Sequence, residues 1–462
     1  MRVRFWGTRG SIAAPGPDTV RFGGNTSCVE VTTGGSDCFM FDCGTGARAL
    51  GAKLVANTSK PISVTILFSH THWDHIQGFP FFAPLFVPGS RITVCGPEGS
   101  GRSLRDVLAG QMEFTYFPVE IGQLPATITF QELGEGTYEI GGARVVAQYL
   151  HHPAMTLGYR VEADGAAVVY ACDHEPFSEM LWHENPARRH AEFIVHEGDR
   201  RHARFMAGAD MVIHDGQYTP EEFPSKKNWG HSTYEYAVGL AAAARVRQVV
   251  LTHHDPAHDD ALVEEIEARA RGYVTDLGYH VQVCCAYEGL ELTLEPHDVG
   301  HVAGAPLAPH SGRDALRGRH ILVVDDDADT RALAKHALSQ DGHIVTEASG
   351  GREALALIDA QPPDLLLLDL LMPDAGGLEV LTILRSRPAT AALPVVVLTG
   401  FNDEVSTRTS FEHGATDYLT KPFSLPQLAA RVRACLARAG LEFVADQGRI
   451  ATAGERRPED DE

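Results

Sequence analysis

Positive charge is what this sequence has least of. Lys and Arg number 39 against 61 Asp and Glu, a formal balance of −22 over 462 residues. A general nucleic-acid binder needs a basic surface to meet the phosphate backbone, so this composition argues against that class. An anionic substrate remains open, because bound metal ions supply positive charge locally. The eight cysteines, Cys28, Cys38, Cys43, Cys95, Cys172, Cys284, Cys285 and Cys435, include no C-x-x-C pair. Zinc ribbons and thioredoxin-type sites are therefore not encoded. Their places in apolar runs suit buried free thiols in a reducing compartment. No apolar run is long enough to span a bilayer, and Met1 leads straight into a strand pattern without a basic and then apolar leader. The expectation is a cytoplasmic protein without a membrane partner. No internal repeat relates the two halves of the chain.

Apolar residues, by contrast, are ample. At 44% hydrophobic the chain can fill packed cores, and its length calls for two to three domains. Residues 1–296 mix short β-rich runs with Gly-rich turns, with strands expected near 27–32, 38–42, 62–69, 92–95, 145–150, 167–172, 211–214 and 249–252. Each later run has a His or Asp at its end or just beyond, where loops of an α/β protein converge on a common crevice. Helical patterns are expected over 232–245 and 259–277. Residues 297–318 carry Pro, Gly, His and Ala without a periodic face and read as a linker. A fresh βα alternation covers 319–440, and the polar stretch 441–462 reads as a disordered tail.

The densest chemistry lies just past the run that ends at Phe68. His70-Thr-His72-Trp-Asp74-His75 puts four ligand-type side chains into six positions. Imidazole suits borderline divalent metals and the carboxylate neutralises charge. His70 and His72, two apart in an extended turn, can grip one ion, while Asp74 and His75 are offset towards a second.

This H-x-H-x-D-H pattern resembles the signature of the metallo-β-lactamase superfamily. Phe39-Met-Phe-Asp42-Cys-Gly44-Thr-Gly46 resembles the same family's early strand-and-turn element, whose Asp has an orienting role. Phe5-Trp-Gly7-Thr-Arg-Gly10-Ser11 and Gly23-Gly24-Asn25-Thr-Ser27 are similar to the branch holding ribonuclease Z and related phosphodiesterases. The resemblance spans about residues 1–295. It implies His152, rather than its neighbour His151, as a further ligand, because Gly158-Tyr-Arg160 follows six residues later. It implies Asp173 as the bridging carboxylate and His253 as the final ligand, with His254 as its rival. His70, His72 and His152 would then hold one metal and Asp74, His75 and His253 the other. Seven ligands for two ions leave positions open, as catalysis requires and a closed structural site does not. Zinc is the first expectation; manganese and iron suit the same donors.

Many reactions occur on this fold. The Asp173–His75 combination, without a Cys ligand, disfavours the zinc β-lactamase type. Trp229-Gly-His231-Ser232-Thr233 resembles an element of the phosphodiesterase branch whose His lies near the scissile phosphate. Asp74 and His231 are therefore the catalytic candidates. His231 precedes a helix with Ser232 or Thr233 as N-cap, and His214 or Asp215 is placed to orient it. A small phosphodiester, such as a cyclic nucleotide, is favoured over transfer RNA because no long Gly/Pro-rich arm lies between His75 and His152. Residues 78–122 read equally as a lid or as core, and 176–208 as a substrate loop or docking surface. The competing readings are a hydrolase of another ester or thioester class, and a signalling protein that only binds a ligand.

In the second half, His320-Ile-Leu-Val-Val-Asp325-Asp326-Asp327, Leu365-Leu-Leu-Leu-Asp369, Val395-Val-Val-Leu-Thr399 and Asp417-Tyr418-Leu-Thr-Lys421 end successive runs in carboxylates, a hydroxyl and a cation. In a parallel doubly wound sheet these ends meet in one crevice. Hard oxygen donors at Asp325 and Asp326 suit Mg2+. The set resembles the response-regulator receiver family, which implies Asp369 as phosphoacceptor, Thr399 and Lys421 as phosphoryl-binding residues and Tyr418 as a switch aromatic. The implied fold class is α/β: a metallo-β-lactamase αββα sandwich followed by a flavodoxin-like doubly wound receiver domain. The implied partners are a sensor histidine kinase or phosphotransfer protein and a small phosphodiester; a homodimer fits this reading, and no DNA-binding domain is seen.

Overall fold

The computed structural model describes residues 1–35, 38–57, 61–97, 102–177, 194, 196–296, 318–373, 375–400, 410, 413–421, 423–425 and 427–436. The chain divides into two compact units, the first ending and the second beginning within residues 297–317. The expected linker, apart from Gly318, and the expected tail lie outside the described residues. Among those described, no helix is long and apolar enough to cross a membrane.

The first unit is built on two sheets. One runs, strand beside strand, Glu291–Thr293, Arg2–Gly7, Cys28–Thr32, Cys38–Phe41, Ser63–Leu67, Arg91–Pro97, Thr127–Leu133. The other runs Gln282–Cys285, Gln248–Thr252, Met211–Asp215, Ala166–Ala171, Leu157–Ala163, Ala143–Tyr149, Gly136–Ile140. Side chains alternate across each strand, so neighbouring residues serve different layers. Val250 faces the other sheet together with Phe5, Phe41, Leu67, Val168 and Ile213. Val249 and Leu251 turn outward onto Ala237, Leu240 and Ile266, from the helices Tyr234–Ala243 and Asp260–Asp276. On the far side, Met40, Ile66 and Val94 pack under Leu50 of the helix Ala47–Ala56 and under Phe79 and Phe82. Helices thus cover both outer faces, as the expected αββα sandwich requires. Burial on both faces explains why the central strands read as continuous apolar runs.

The helix expected over 232–245 spans Tyr234–Ala243, because Thr233 is its N-cap and its hydroxyl accepts from the Tyr236 N–H. Asp259 caps Asp260–Asp276 in the same way, accepting from the Leu262 N–H at 2.8 Å. Of residues 78–122, Phe79, Phe82 and Leu85 are core, which is one of the two readings expected of the segment, while Phe81, Phe114 and Tyr116 are exposed. Seven cysteines are buried, Cys284 is half-buried, and all eight are free thiols.

Within each sheet the centre is parallel. Cys38–Phe41 and Ser63–Leu67 run together, with Phe41 opposite Leu67. In the second sheet Ala166–Ala171, Met211–Asp215 and Gln248–Thr252 run together, pairing Ala171 with His214 and Asp215 with Thr252. Asp42, His70, Asp173 and His253 lie one to three residues beyond these C-terminal ends. The register therefore gathers them at one rim.

The second unit is a five-stranded parallel sheet in the order Ile344–Ala348, His320–Val324, Leu365–Asp369, Val395–Gly400, Asp417–Lys421. In chain order this is 2-1-3-4-5, the flavodoxin-like arrangement. One face packs Leu322, Leu366 and Val397 against Ala354, Ile358 and Leu381. The other packs Ile321, Leu367 and Leu398 against Leu338, Leu428 and Val432.

Candidate metal centre

The side chains at the sandwich rim fall into two groups. His70, His72, His152 and Asp173 offer one ligand atom each within 4.8 Å of one another, and so do Asp74, His75 and His253. The Asp173 carboxylate lies between the groups. One oxygen is 3.6 Å from His70 Nε2, 3.8 Å from His152 Nε2 and 3.3 Å from His75 Nε2; the other is 3.3 Å from His253 Nε2. Asp74 Oδ2 is 3.2 Å from His75 Nε2 and 3.1 Å from His253 Nε2. The structure brings all seven expected residues together, with Asp173 in the group of His70, His72 and His152.

The donors are held in the form that coordinates a cation. His152 Nδ1 donates to the Gly230 carbonyl at 2.9 Å and His253 Nδ1 to Gln217 Oε1 at 2.8 Å, which leaves a lone pair on each Nε2 facing inward. His75 Nδ1 donates to Asp42 Oδ2 at 2.7 Å. Asp42 is fixed in turn by the Ser69 N–H at 2.7 Å and the Tyr170 hydroxyl at 2.6 Å. The Tyr170 ring stacks on Phe41 at 4.8 Å. Burial keeps His70 and His152 well below the usual imidazole range, hence neutral. Burial also opposes the cation at His75, but Asp74, Asp173 and Asp42 outweigh it. Three buried carboxylates around one imidazole call for positive charge among them.

The fit to metal is also visible in atoms left over. His70 Nε2, His75 Nε2 and Asp173 Oδ1 are buried without a hydrogen-bond partner among the described residues. His72 Nδ1 and the inward lone pair of His152 Nε2 approach to 3.2 Å. Such an array costs several kcal/mol per uncompensated charge unless a cation satisfies it. The residues present therefore fit divalent metal ions.

Of the paired neighbours, His253 turns inward, whereas His254 Nε2 contacts the Ala286 carbonyl at 2.9 Å on the other side of the chain. His152 enters the cluster, and His151 stacks on Phe177 at 4.1 Å instead. His231 stands at the edge, its ring 4.8 Å from that of His253 and 5.4 Å from that of His152. Asp215 Oδ2 meets His231 Nδ1 at 3.3 Å and accepts from the Ser232 N–H at 2.9 Å. Of the two residues expected to orient His231, Asp215 touches it and His214 stands one step behind. Burial opposes the charge of Asp215, but His214 and His231 outweigh it and bring its pKa down to about 2.

Several contributors were not foreseen. The Ser11 N–H donates to Asp74 Oδ2 at 2.7 Å, and Gly10 lies so close to the His253 ring that a Cβ would sit 2.3 Å from Nδ1. Buried Arg9 ties its guanidinium to the Gly23 carbonyl at 2.7 Å and the His258 carbonyl at 2.6 Å, bracing the loop that carries His253. Glu175 receives the N–H groups of Asn228 and Gly230, each at 2.7 Å. At Gly230, with φ +89°, a Cβ would lie 2.1 Å from His152 Nδ1. The signal for Arg9–Ser11 lay in the Gly7–Ser11 segment, whose role composition did not reveal; Gln217 and Glu175 carried none. Asp42, Asp173, His253 and Ser11 all have positive φ, between 55° and 63°. Strained backbone at strand ends aims these groups at one point.

In the second unit, Asp325, Asp326 and Asp369 form another group able to hold a cation. Lys421 Nζ lies 2.7 Å from both Asp325 Oδ2 and Asp369 Oδ2. The Thr399 hydroxyl is buried without a partner among the described residues. Tyr418 is partly buried against the core that includes Leu368 and Val397. Asp327 does other work, capping the helix Ala328–Gln340.

Comparison with known proteins agrees with both folds. Residues 38–254 match the family model described as a beta-lactamase superfamily domain, and residues 321–433 the one described as a response regulator receiver domain. Response regulator MprA of Mycolicibacterium vanbaalenii is 49% identical over 119 residues, which cover 26% of this chain and 50% of that protein. The chain thus spans about half the length of the curated relatives it matches. Among solved structures, the metallo-beta-lactamase fold protein YhfI from Bacillus subtilis is 15% identical, with 63% of this chain and 99% of that one covered and a TM-score of 0.44. Human tRNase Z, short form, is 21% identical with the same coverage and a TM-score of 0.42. Residues 38–254 thus carry a beta-lactamase superfamily domain and residues 321–433 a response regulator receiver domain.

Proposed function

We propose that the first unit, residues 1–296, is a metal-dependent hydrolase of small phosphodiesters, cyclic nucleotides among them, and that the receiver, residues 319–440, governs it through phosphorylation. One observation carries the reading: the Asp173 carboxylate, which belongs to one group of ligand atoms, also lies 3.3 Å from His75 and His253 of the other, and His231 stands beside both. When bound, two divalent ions, zinc first among the candidates, supply the charge that polarises a phosphoryl group and activates water. Asp74, fixed by the Ser11 N–H, orients the reacting water. His231 has its Nδ1 on Asp215. Burial opposes its protonation, and the contact with Asp215 favours it. Its Nε2 therefore holds the proton for the leaving oxygen.

In the receiver, Asp325 and Asp326 hold Mg2+, Asp369 accepts a phosphoryl group from a histidine kinase or phosphotransfer protein, and Thr399 and Lys421 bind its oxygens. Tyr418 passes the change on. The test uses the full chain. Metal analysis and turnover of bis(4-nitrophenyl) phosphate and 3′,5′-cyclic nucleotides are measured with and without a chelator and a small phosphodonor. Two ions per chain, chelator-sensitive turnover and a rate change of about tenfold on phosphorylation, absent in Asp369→Asn, are expected. Bound metal without turnover would make the first unit a ligand-binding module, and equal rates in Asp369→Asn with or without phosphodonor would remove the coupling.

A further inference from the structure

Behind His231 lies a buried array of imidazoles that the proposed reaction does not use. The helix Glu197–Met206 delivers His202 and Asp199 into the core, 1% and 0% exposed. His202 Nε2 is 3.1 Å from His214 Nε2. His214 Nδ1 is 2.8 Å from the Asp215 carbonyl and 3.1 Å from Asp215 Oδ1. Asp215 Oδ2 is the atom that meets His231. The His202 ring is clamped by that of His174, stacked at 3.9 Å and 15°. His174 Nε2 donates to the Tyr236 hydroxyl at 3.0 Å, which donates to Asp199 Oδ1 at 2.6 Å.

The polarity of this chain follows from its ends. Both partners of His214 Nδ1 are oxygens, so Nδ1 carries a proton, and in the neutral ring Nε2 is the acceptor. A bare nitrogen 3.1 Å from another imidazole nitrogen needs a donor, so His202 must be the Nε2–H tautomer. Burial, with His214 next, keeps His202 well below the usual imidazole range, so a single proton lies between the rings. Its other nitrogen, Nδ1, is buried without a partner among the described residues. The arrangement accepts that cost to present Nε2–H to His214.

We propose that His202 is a positioning residue for His231, acting through the orientation of the His214 ring and the carboxylate of Asp215. The inference rests on the role given to His231 under Proposed function. Without the His202 donor, the buried Nε2 of His214 is an orphan acceptor. The His214 ring then loses the contact that fixes its orientation, and its Nδ1–H is held less firmly on the two Asp215 oxygens. The carboxylate that meets His231 loosens with it.

The test compares His202→Met, of similar volume but without a donor, with His202→Gln, whose amide N–H can reach His214. With the metal-loaded full chain and bis(4-nitrophenyl) phosphate, His202→Met is expected to lower kcat about tenfold at unchanged KM and metal content, and His202→Gln to recover most of the loss. In a His231→Ala background His202→Met should have no further effect, because the two changes act on one unit. A loss of the same size in that background, or no rescue by Gln, would overturn the inference. An impaired His231→Ala with a silent His202→Met overturns it alone; a silent His231→Ala overturns the role of His231 and the inference with it. If His202→Met does not fold, 15N NMR of histidine-labelled wild-type protein decides: His202 as Nε2–H and His214 as Nδ1–H are expected, and any other pair sinks the proposal.

Discussion

Asp173→Asn is expected to cut kcat/KM for a phosphodiester by on the order of 10³-fold, because the metal pair supplies several kcal/mol and each 1.36 kcal/mol is a factor of ten. Asp173 is placed to serve both ligand groups, one oxygen reaching His70 and His152 of the first and His75 of the second, and the other reaching His253 of the second. Asparagine is the right replacement. The residue sits at φ 63°, where Asn is tolerated and alanine would add backbone strain to the loss of charge. Burial opposes the carboxylate, while His253 and His75 more than offset it and hold it ionised. The amide removes that negative charge and turns an N–H2 towards one group. Metal content measured on the purified variant should fall below two ions per chain. A variant that keeps two ions and full turnover would show that Asp173 does not join the groups.

Asp42→Asn should act more widely although Asp42 touches no proposed metal position. Its carboxylate accepts from the Ser69 N–H and hydroxyl, from His75 Nδ1 and from the Tyr170 hydroxyl, all in the dry core. An amide at the same φ of 55° keeps one acceptor and sets a donor against these donors. We expect metal affinity to fall about 10- to 100-fold, since His75 loses the partner that fixes its tautomer. We also expect a stability loss of about 3 kcal/mol from buried donors left without acceptors. Chelator competition reads the first and urea unfolding of the apo protein the second. A full affinity loss at unchanged apo stability would mean that Asp42 acts on His75 alone and not as a strut of the core.

How much of this was legible beforehand depends on range along the chain. His70, His72, Asp74 and His75 fall within six residues of a strand end, and local spacing alone suggests two directions of approach. The receiver carboxylates are legible for the same reason: Asp325, with Asp326 next to it, and Asp369 each close a run of four apolar residues. The distant ligands were reached by resemblance, and the choice between His253 and His254 stayed open. Adjacent residues on an extended chain point opposite ways, and which way is inward depends on the neighbouring strands. Pairing of Met211–Asp215 with Gln248–Thr252, followed by a left-handed turn at His253, makes that choice.

The sequence by itself determined the number of folds, their α/β class, the strand-end clusters and the family of each half, because apolar periodicity and short motifs are local properties. Only the tertiary structure decided which atoms meet: that His253 faces Asp74, that Gly230 and Gln217 set the tautomers of His152 and His253, and that Asp215 rather than His214 holds His231. Those contacts join residues 16 to 179 positions apart. Hydrogen bonds select their partners by position within a few tenths of an ångström, and such positions exist only once both sheets have closed on their common core.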